Sequence, residues 1–344
     1  MIRFSTADCR AAACAVLVSA ATALPAAADP VADFYKGRTV ELIVGYPPAG
    51  ANDVFARSLT RHLGKYIPGN PNIIARNMPG AGSLLAANYI YALAPKDGTV
   101  IGIITPTAPL DEKLGNPAVK YTSSKFGWIG RIGPAVNPLM VWNTQPYTSW
   151  KDALSKEITL SATGVGSTVS VYPTVLNNVM KTRFKMVMGY KGSGESMLAM
   201  ERGEVAGHCT ALEAVLTQHP TWIKDNTVKI LVQFALTRHP AMADVPTVIE
   251  IAETQEQKDI LRAVMNATEI GKPIVTSPGV PAERLNALRR AYEQVVQDAE
   301  FKMEFERQGV ELSPINGEAL QKLVEEVATM PADLLAKVKA NYGG

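Results

Sequence analysis

The chain has 344 residues, with 34 lysines and arginines against 32 aspartates and glutamates, a formal net charge of +2. So small an imbalance gives no broad electrostatic attraction to nucleic acid or to an anionic membrane. Two of the three cysteines fall within the first 14 residues, which leaves Cys209 alone further on and excludes both an intrachain disulfide there and a cysteine metal cluster.

Residues 1–28 carry Arg3 and Arg10, then the apolar run AAACAVLVSAATAL, then Ala26-x-Ala28 before Asp29. That three-part layout predicts a secretory signal peptide, and the run is shorter than the roughly 20 residues a spanning helix needs. Its removal takes away Arg3, Arg10 and Asp8 and leaves a near-neutral, soluble chain whose length suits two domains.

From residue 39 the sequence alternates short Val- and Ile-rich runs with amphipathic stretches. Residues 39–46 predict a strand. A helix follows over 53–67, where Phe55, Leu59 and Leu63 fall at i, i+4 and i+8 on one face. A strand at 72–77 precedes a helix over 83–94, which opens on Ser83 as a cap and ends before Pro95. Further strands are predicted at 99–105, 138–143, 158–163, 184–189, 205–209, 228–235 and 272–276. A long helix spans 281–308, from Pro281 to a stop at Gly309, and another spans 317–341 with Pro331 as its breaking point. Strand, crossover helix, next strand is the pattern of an α/β fold whose parallel sheet is covered on both faces.

Chemistry-bearing motifs are scarce. The histidines are His62, His208, His219 and His239, and none sits in HExxH or beside acids at metal-ligand spacing. His62, inside a predicted helix, reads as a surface or interface residue. GSGES at 192–196 has glycine where a nucleophile elbow needs serine, and GVGS at 164–167 is followed by no GK[ST]. Gly164 and Gly166 followed by Val169 break the dinucleotide fingerprint. The expectation is no catalytic residue, no metal and no cofactor.

What recurs is a loop of Gly, Ala, Ser and Pro between a strand and a helix, in VGYPPAGAND, IARNMPGAGS and SATGVGST. Unpaired N–H groups at a helix start carry about half a positive charge, and small residues let an anion reach them. Ligands of open α/β sheets also sit at the carboxyl ends of the strands, where these loops lie.

These segments resemble the extracytoplasmic solute receptors of tripartite tricarboxylate transporters, the Bug family. The resemblance is carried by FYKGRTVELIVGYPPAGANDVFAR (34–57), NMPGAGSLLAANYIYALAPKDGTVIG (77–102), SATGVGSTVSVYPTVLN (161–177) and MGYKGSGESMLAMERGEVAG (188–207), in the family's order. It implies an α/β, two-domain periplasmic-binding-protein fold, a type II-like Venus flytrap with a ligand cleft between the domains. Domain 1 would comprise 29–136 plus 240–344, and domain 2 would be 137–239.

The resemblance also implies where a carboxylate would be held. The first loop offers Tyr46, Ala49, Gly50, Ala51 and Asn52, with Asp53 near the helix start; the second offers Pro79, Gly80, Ala81, Gly82 and Ser83. Thr163, Val165, Gly166, Ser167 and Thr168 face them from the other domain, with Tyr190 and Thr210 behind and Thr105 and Thr107 at the rim. Ala49 and Ala51 depart from a loop commonly richer in glycine, Asn52 stands where a smaller or hydroxylated residue is often seen, and the added amide widens the choice of ligand. The implied partners are a small di- or tricarboxylate or an aromatic acid, and the large and small membrane subunits of such a transporter. The receptor is expected to be a periplasmic monomer and not an enzyme; a sensing receptor of the same fold and an exported hydrolase are the alternatives.

Overall fold

The structure is a computed structural model that describes residues 1, 29–164, 166–307 and 312–343. The expected leader, Met1 apart, lies outside the described residues, as do Val165 and the expected helix stop at Gly309.

The N-terminal run comprises α1 (Pro30–Tyr35), β1 (Thr39–Val44), α2 (Ala51–His62), β2 (Asn72–Asn77), α3 (Leu84–Ala92), β3 (Val100–Ile103), α4 (Ala108–Lys113) and β4 (Gly127–Arg131). The middle run holds β5 (Asn137–Trp142), α5 (Asp152–Ser155), β6 (Ile158–Ser161), α6 (Thr168–Met180) and β7 (Phe184–Val187), then α7 (Ser193–Glu201), β8 (Gly207–Cys209), α8 (Leu212–Gln218) and β9 (Val228–Phe234). The return comprises α9 (Gln255–Ile270), β10 (Pro273–Thr276), α10 (Ala282–Val295), α11 (Ala299–Arg307), β11 (Ile315–Asn316), α12 (Gly317–Ala328) and α13 (Ala332–Tyr342).

Two sheets result, in the orders β11-β4-β10-β3-β1-β2 and β7-β6-β8-β5-β9. Neither is wholly parallel, which corrects the simple reading of the strand runs. β1 pairs in parallel with β2 and β3, but β10 arrives with the returning chain and runs antiparallel between β3 and β4. In the second sheet β6 is parallel to β7 and β8, while β5 runs antiparallel to β8 and β9. The chain crosses between the sheets after β4 and again after β9. Gly271, at φ +64°, marks where the return passes the first crossing: a Cβ there would lie 2.1 Å from the Gly133 carbonyl oxygen.

Both faces of each sheet are buried, as the apolar runs require. On β1, Leu42 and Val44 join Phe55, Leu59, Tyr292 and Phe301 on one face, while Ile43 packs with Ala86, Ile90 and Trp128 on the other. On β5, Leu139 and Val141 face Tyr172 and Val175, and Met140 faces Met197, Met200 and Trp222. Each large aliphatic or aromatic side chain so buried contributes roughly 1.5–3 kcal/mol. Of the returning elements, β10, α10 and α11 pack on the first sheet, whereas α9 and α13 pack on α6. The helix expected over 281–308 is two helices; Asp298, in the break, accepts from the Phe301 amide at 2.9 Å and starts the second.

Candidate functional site

The first loop leaves β1 at Gly45, whose amide donates to the Ile103 carbonyl at 3.0 Å. A Cβ on Gly45 would lie 1.9 Å from Ser83 Oγ, so glycine here lets the second loop rest on the first. Ala49 takes a left-handed φ of 62°. It is held there by Asp53, which accepts from the Ala49 amide at 2.9 Å, from Arg57 Nε at 2.9 Å and Nη2 at 3.0 Å, and from Asn77 Nδ2 at 2.8 Å. Burial pushes the Asp53 carboxyl up, but the bonds from Arg57, Asn77 and Ala49 outweigh it and hold the group below its ordinary value. Asp53 therefore fastens the loop from beneath. Asn77 also donates to the Tyr46 carbonyl at 3.0 Å. α2 then starts at Ala51 behind Gly50 with no side-chain cap, and among the described residues nothing accepts from the Ala51 and Asn52 amides.

The second loop, after β2, holds four successive positive φ angles: Gly80 at 146°, Ala81 at 46°, Gly82 at 64° and Ser83 at 79°. The left-handed region costs an L-residue about 1–2 kcal/mol, so Ala81 and Ser83 are strained. Ser83 does not cap α3 as its position suggested; its Oγ is buried and, among the described residues, has no partner.

The third loop, after β6, is knotted by hydroxyls. Thr163 Oγ1 donates to Ser167 Oγ at 2.9 Å, and Ser167 Oγ and Ser170 Oγ donate to the Gly164 carbonyl at 2.8 and 2.6 Å. α6 begins at Thr168 with no side-chain cap. Val165 lies outside the described residues.

The second and third loops meet across the two sheets. A Cβ on Gly82 would lie 2.8 Å from the Gly166 carbonyl oxygen, whereas a Cβ on Gly166 would stand 4.0 Å from that of Ala81. The structure thus brings Ala81 and Gly82 together with Gly166 and Ser167. It places Tyr46 half-buried behind the first loop, its hydroxyl donating to the Ile104 carbonyl at 3.5 Å; burial raises its pKa despite the Thr105 hydroxyl beside it. Tyr190 is half-buried, its amide on the Ala162 carbonyl at 3.3 Å. Thr210 is buried, its Oγ1 2.8 Å from Ser193 Oγ. Thr105 and Thr107, expected at the rim, are buried instead, hydrogen-bonded to each other at 2.7 Å. Sequence reasoning missed the partners that set these loops, Asn77 and Ser170, because neither lies in a loop.

Other polar groupings are engaged in holding the fold. His208 Nδ1 lies 3.0 Å from both the hydroxyl and the carbonyl of Ser161, but both residues are wholly buried. Burial lowers the His208 pKa to about 4 against the Ser161 bond, leaving a neutral ring with no route to a substrate. His62, Asp298 and Glu300 bring ligand-type atoms within 4.8 Å of one another. Lys65 Nζ already sits 2.6 Å from Asp298 and 3.7 Å from Glu300, and His62 Nε2 3.2 Å from Glu304, so the group is an ion-pair network tying α2 to α11. A cavity of about 410 Å³ opens at the crossings, lined by Val136, Glu213, Arg238 and Glu269 among others, away from the three loops. Among the described residues no helix is long and apolar enough to cross a membrane.

Two sheets joined by two crossings, with glycine loops meeting between them, define the frame of a two-domain periplasmic binding protein. The model of the tripartite tricarboxylate transporter family receptor matches residues 55–339, and the chain belongs to that family of solute-binding receptors. BugT of Bordetella pertussis is similar, 27% identical over 234 residues that cover 65% of this chain and 69% of BugT. Among solved structures, the periplasmic binding protein BugD is similar with a TM-score of 0.69 at 21% identity, covering 90% of this chain and 99% of its own. MatC from Rhodopseudomonas palustris with bound malate has a TM-score of 0.67 at 21% identity, covering 87% of this chain and 99% of its own.

Proposed function

We propose that this chain is a receptor that captures a small carboxylate in the periplasm by closing two lobes, 29–136 plus 240–344 and 137–239, upon it. The observation that carries this reading is the approach of Gly82 to the Gly166 carbonyl from the other sheet, beside helix starts at Ala51 and Thr168 that carry no side-chain cap. Main-chain N–H groups at such positions favour an anion without a cationic side chain. Tyr46, Ala49, Gly50, Ala51, Asn52, Gly80, Ala81, Gly82 and Ser83 would face Thr163, Val165, Gly166, Ser167 and Thr168 across the ligand, with Tyr190 and Thr210 supporting them. Four or five charge-assisted bonds at about 1.5–3 kcal/mol each reach the roughly 8 kcal/mol of a micromolar ligand after ordering costs.

The loaded receptor would deliver its ligand to the large and small membrane subunits of a tripartite tricarboxylate-type transporter. It would act as a monomer without metal or cofactor, after a leader is cleaved near Ala28. The similarity to a malate-bound receptor makes a dicarboxylate the first ligand to try. The test is a thermal-shift screen of protein refolded to strip bound ligand, against malate, succinate, citrate, aspartate and benzoate. A ligand at 100 times its Kd adds about 2.7 kcal/mol, and one acid class is expected to raise the midpoint by roughly several degrees. No shift with any acid would overturn the carboxylate reading.

A further inference from the structure

Next to the loop bearing Tyr46 lies a run of polar groups, of which Thr105 and Thr107 are buried and Asp111 and Tyr342 half-buried. Thr107 Oγ1 donates to Asp111 Oδ2 at 2.8 Å, and the Tyr342 hydroxyl, at the end of α13, donates to Asp111 Oδ1 at 3.4 Å. Thr105 Oγ1 stands 2.7 Å from Thr107 Oγ1 and accepts from the Thr107 amide at 3.3 Å. Each hydroxyl has one proton to give. With Thr107 donating to Asp111, Thr105 must donate to Thr107, so all the protons along the chain point at the carboxylate. A proton on Asp111 removes that demand and lets the chain reverse, ending at Thr105, beside the Tyr46 phenol.

The surroundings offer the carboxylate little charge compensation. Tyr172 from α6 is wholly buried, its hydroxyl has no partner among the described residues, and burial first, then Cys209, Tyr46 and Asp111, disfavour its ionisation. Tyr121 donates to the Ala108 carbonyl at 3.1 Å, and its ionisation is opposed by burial first and then by Asp111 and Glu112. Glu112 accepts from the Ser123 amide at 2.6 Å. Of the nearby cations, Lys113 donates to the Ala328 carbonyl and Lys339 lies against Gly115. Among the described residues no lysine or arginine pairs with Asp111. Burial accordingly raises its pKa to about 6, against the bonds from Thr107 and Tyr342.

We propose that Asp111 is a positioning residue and proton site under the cleft, linked through Thr107 and Thr105 to the Tyr46 loop and through Tyr342 to α13, which takes up a proton when a carboxylate binds. The inference rests on the carboxylate reading above. A bound anion disfavours a second negative charge below it, so ligand and proton favour each other reciprocally. Affinity then rises as pH falls.

Calorimetric titration of the whole protein with malate at pH 6, in two buffers of different ionisation enthalpy, reads the proton uptake. Wild type is expected to take up a substantial fraction of a proton more than Asp111→Asn, since the titration of malate itself is common to both. Between pH 8 and 6 wild-type affinity is expected to rise roughly threefold to tenfold more than that of the variant. Equal uptake and equal pH profiles would overturn the proposal. Ligand-free unfolding midpoints from pH 4 to 8 separate it from the carboxylate reading. A carboxyl raised to about 6 in the folded state loses stability as pH rises from its ordinary value of 3.8 to 6. Wild type should therefore decline across that window relative to Asp111→Asn. Tyr342→Phe, which removes a donor to the carboxylate, should move the decline to higher pH, an effect that packing alone would not produce. If malate fails to bind but these profiles differ as stated, the proton site stands and the ligand is wrong; if the profiles coincide, the proton site is wrong.

Discussion

The first and second sheets each send small-residue loops toward the other, but they hold them by different means. On the first sheet the Tyr46–Asn52 loop is fastened by a buried carboxylate, Asp53, which collects bonds from Ala49, Arg57 and Asn77. On the second, the Thr163–Ser167 loop is held by hydroxyls of Thr163, Ser167 and Ser170 around the Gly164 carbonyl. Bonds to charged groups contribute roughly 1.5–3 kcal/mol, neutral ones about 0.5–1.5. On these bond strengths the Tyr46–Asn52 loop is expected to be the more firmly set of the two, and the Thr163–Ser167 loop the readier to adjust to a ligand.

The contrast can be broken most forcefully where the halves touch. Gly82→Val places a branched side chain at φ +64°, against the Gly166 carbonyl. It is expected to weaken binding of the ligand found in the acid screen at least about 100-fold, roughly 2.7 kcal/mol, while circular dichroism stays unchanged. Gly166→Leu should do the same, because its branches would fill the gap to Ala81; Gly166→Ala, with 4.0 Å to spare, should cost less than about threefold. Normal binding by Gly166→Leu would put the site elsewhere.

On stability, rather than on binding, the carboxylate comes first. Asp53→Ala leaves Ala49 without its acceptor and Arg57 without its carboxylate, with only the Asn77 oxygen left to it at 3.1 Å, and urea unfolding should report a loss of about 3 kcal/mol. The Asp53 contribution is present above its unfolded value of 3.8 and is lost as pH falls through its lower folded value.

The second sheet should fail earlier in acid. His208 must gain a proton on unfolding anywhere between its folded value of about 4 and its ordinary 6.5. Its contribution is complete above pH 6.5 and declines to nothing as pH falls to 4, about 3 kcal/mol in all. His208→Asn should flatten that decline in a series of denaturant midpoints; an unchanged slope would assign the acid sensitivity to another group. The smallest effect is expected from Ser167→Ala, about 1 kcal/mol of stability, since Ser170 still serves the Gly164 carbonyl. A loss as large as that of Asp53→Ala would erase the proposed difference in stiffness.

Apolar runs bounded by turns were readable in the sequence, and 72–77 coincides with β2 to the residue. β4 was not readable. Its five residues, GWIGR, include two glycines and an arginine, and the reason for Gly130 lies 162 residues away: a Cβ there would lie 2.2 Å from the Tyr292 ring. The direction of β10 was hidden for a similar reason, since it depends on where the returning chain enters the sheet. The loops themselves were legible from their composition at strand ends. Their mutual approach was not, nor was the burial of Thr105 and Thr107, because both depend on packing between distant segments.

The placement of β10 also has a consequence for the order in which the molecule can be assembled. β10 sits between β3 and β4, so the first sheet stays in two unconnected pieces until residues 273–276 arrive. Every strand of the second sheet lies within 137–234, and that sheet can complete its ladder first. A chain emerging from its N-terminus would thus form the inserted half while β1–β3 still wait with an open edge. Open edges and long-range pairings are slow to close and prone to mispairing. The half of the molecule that starts earliest is the one that finishes last.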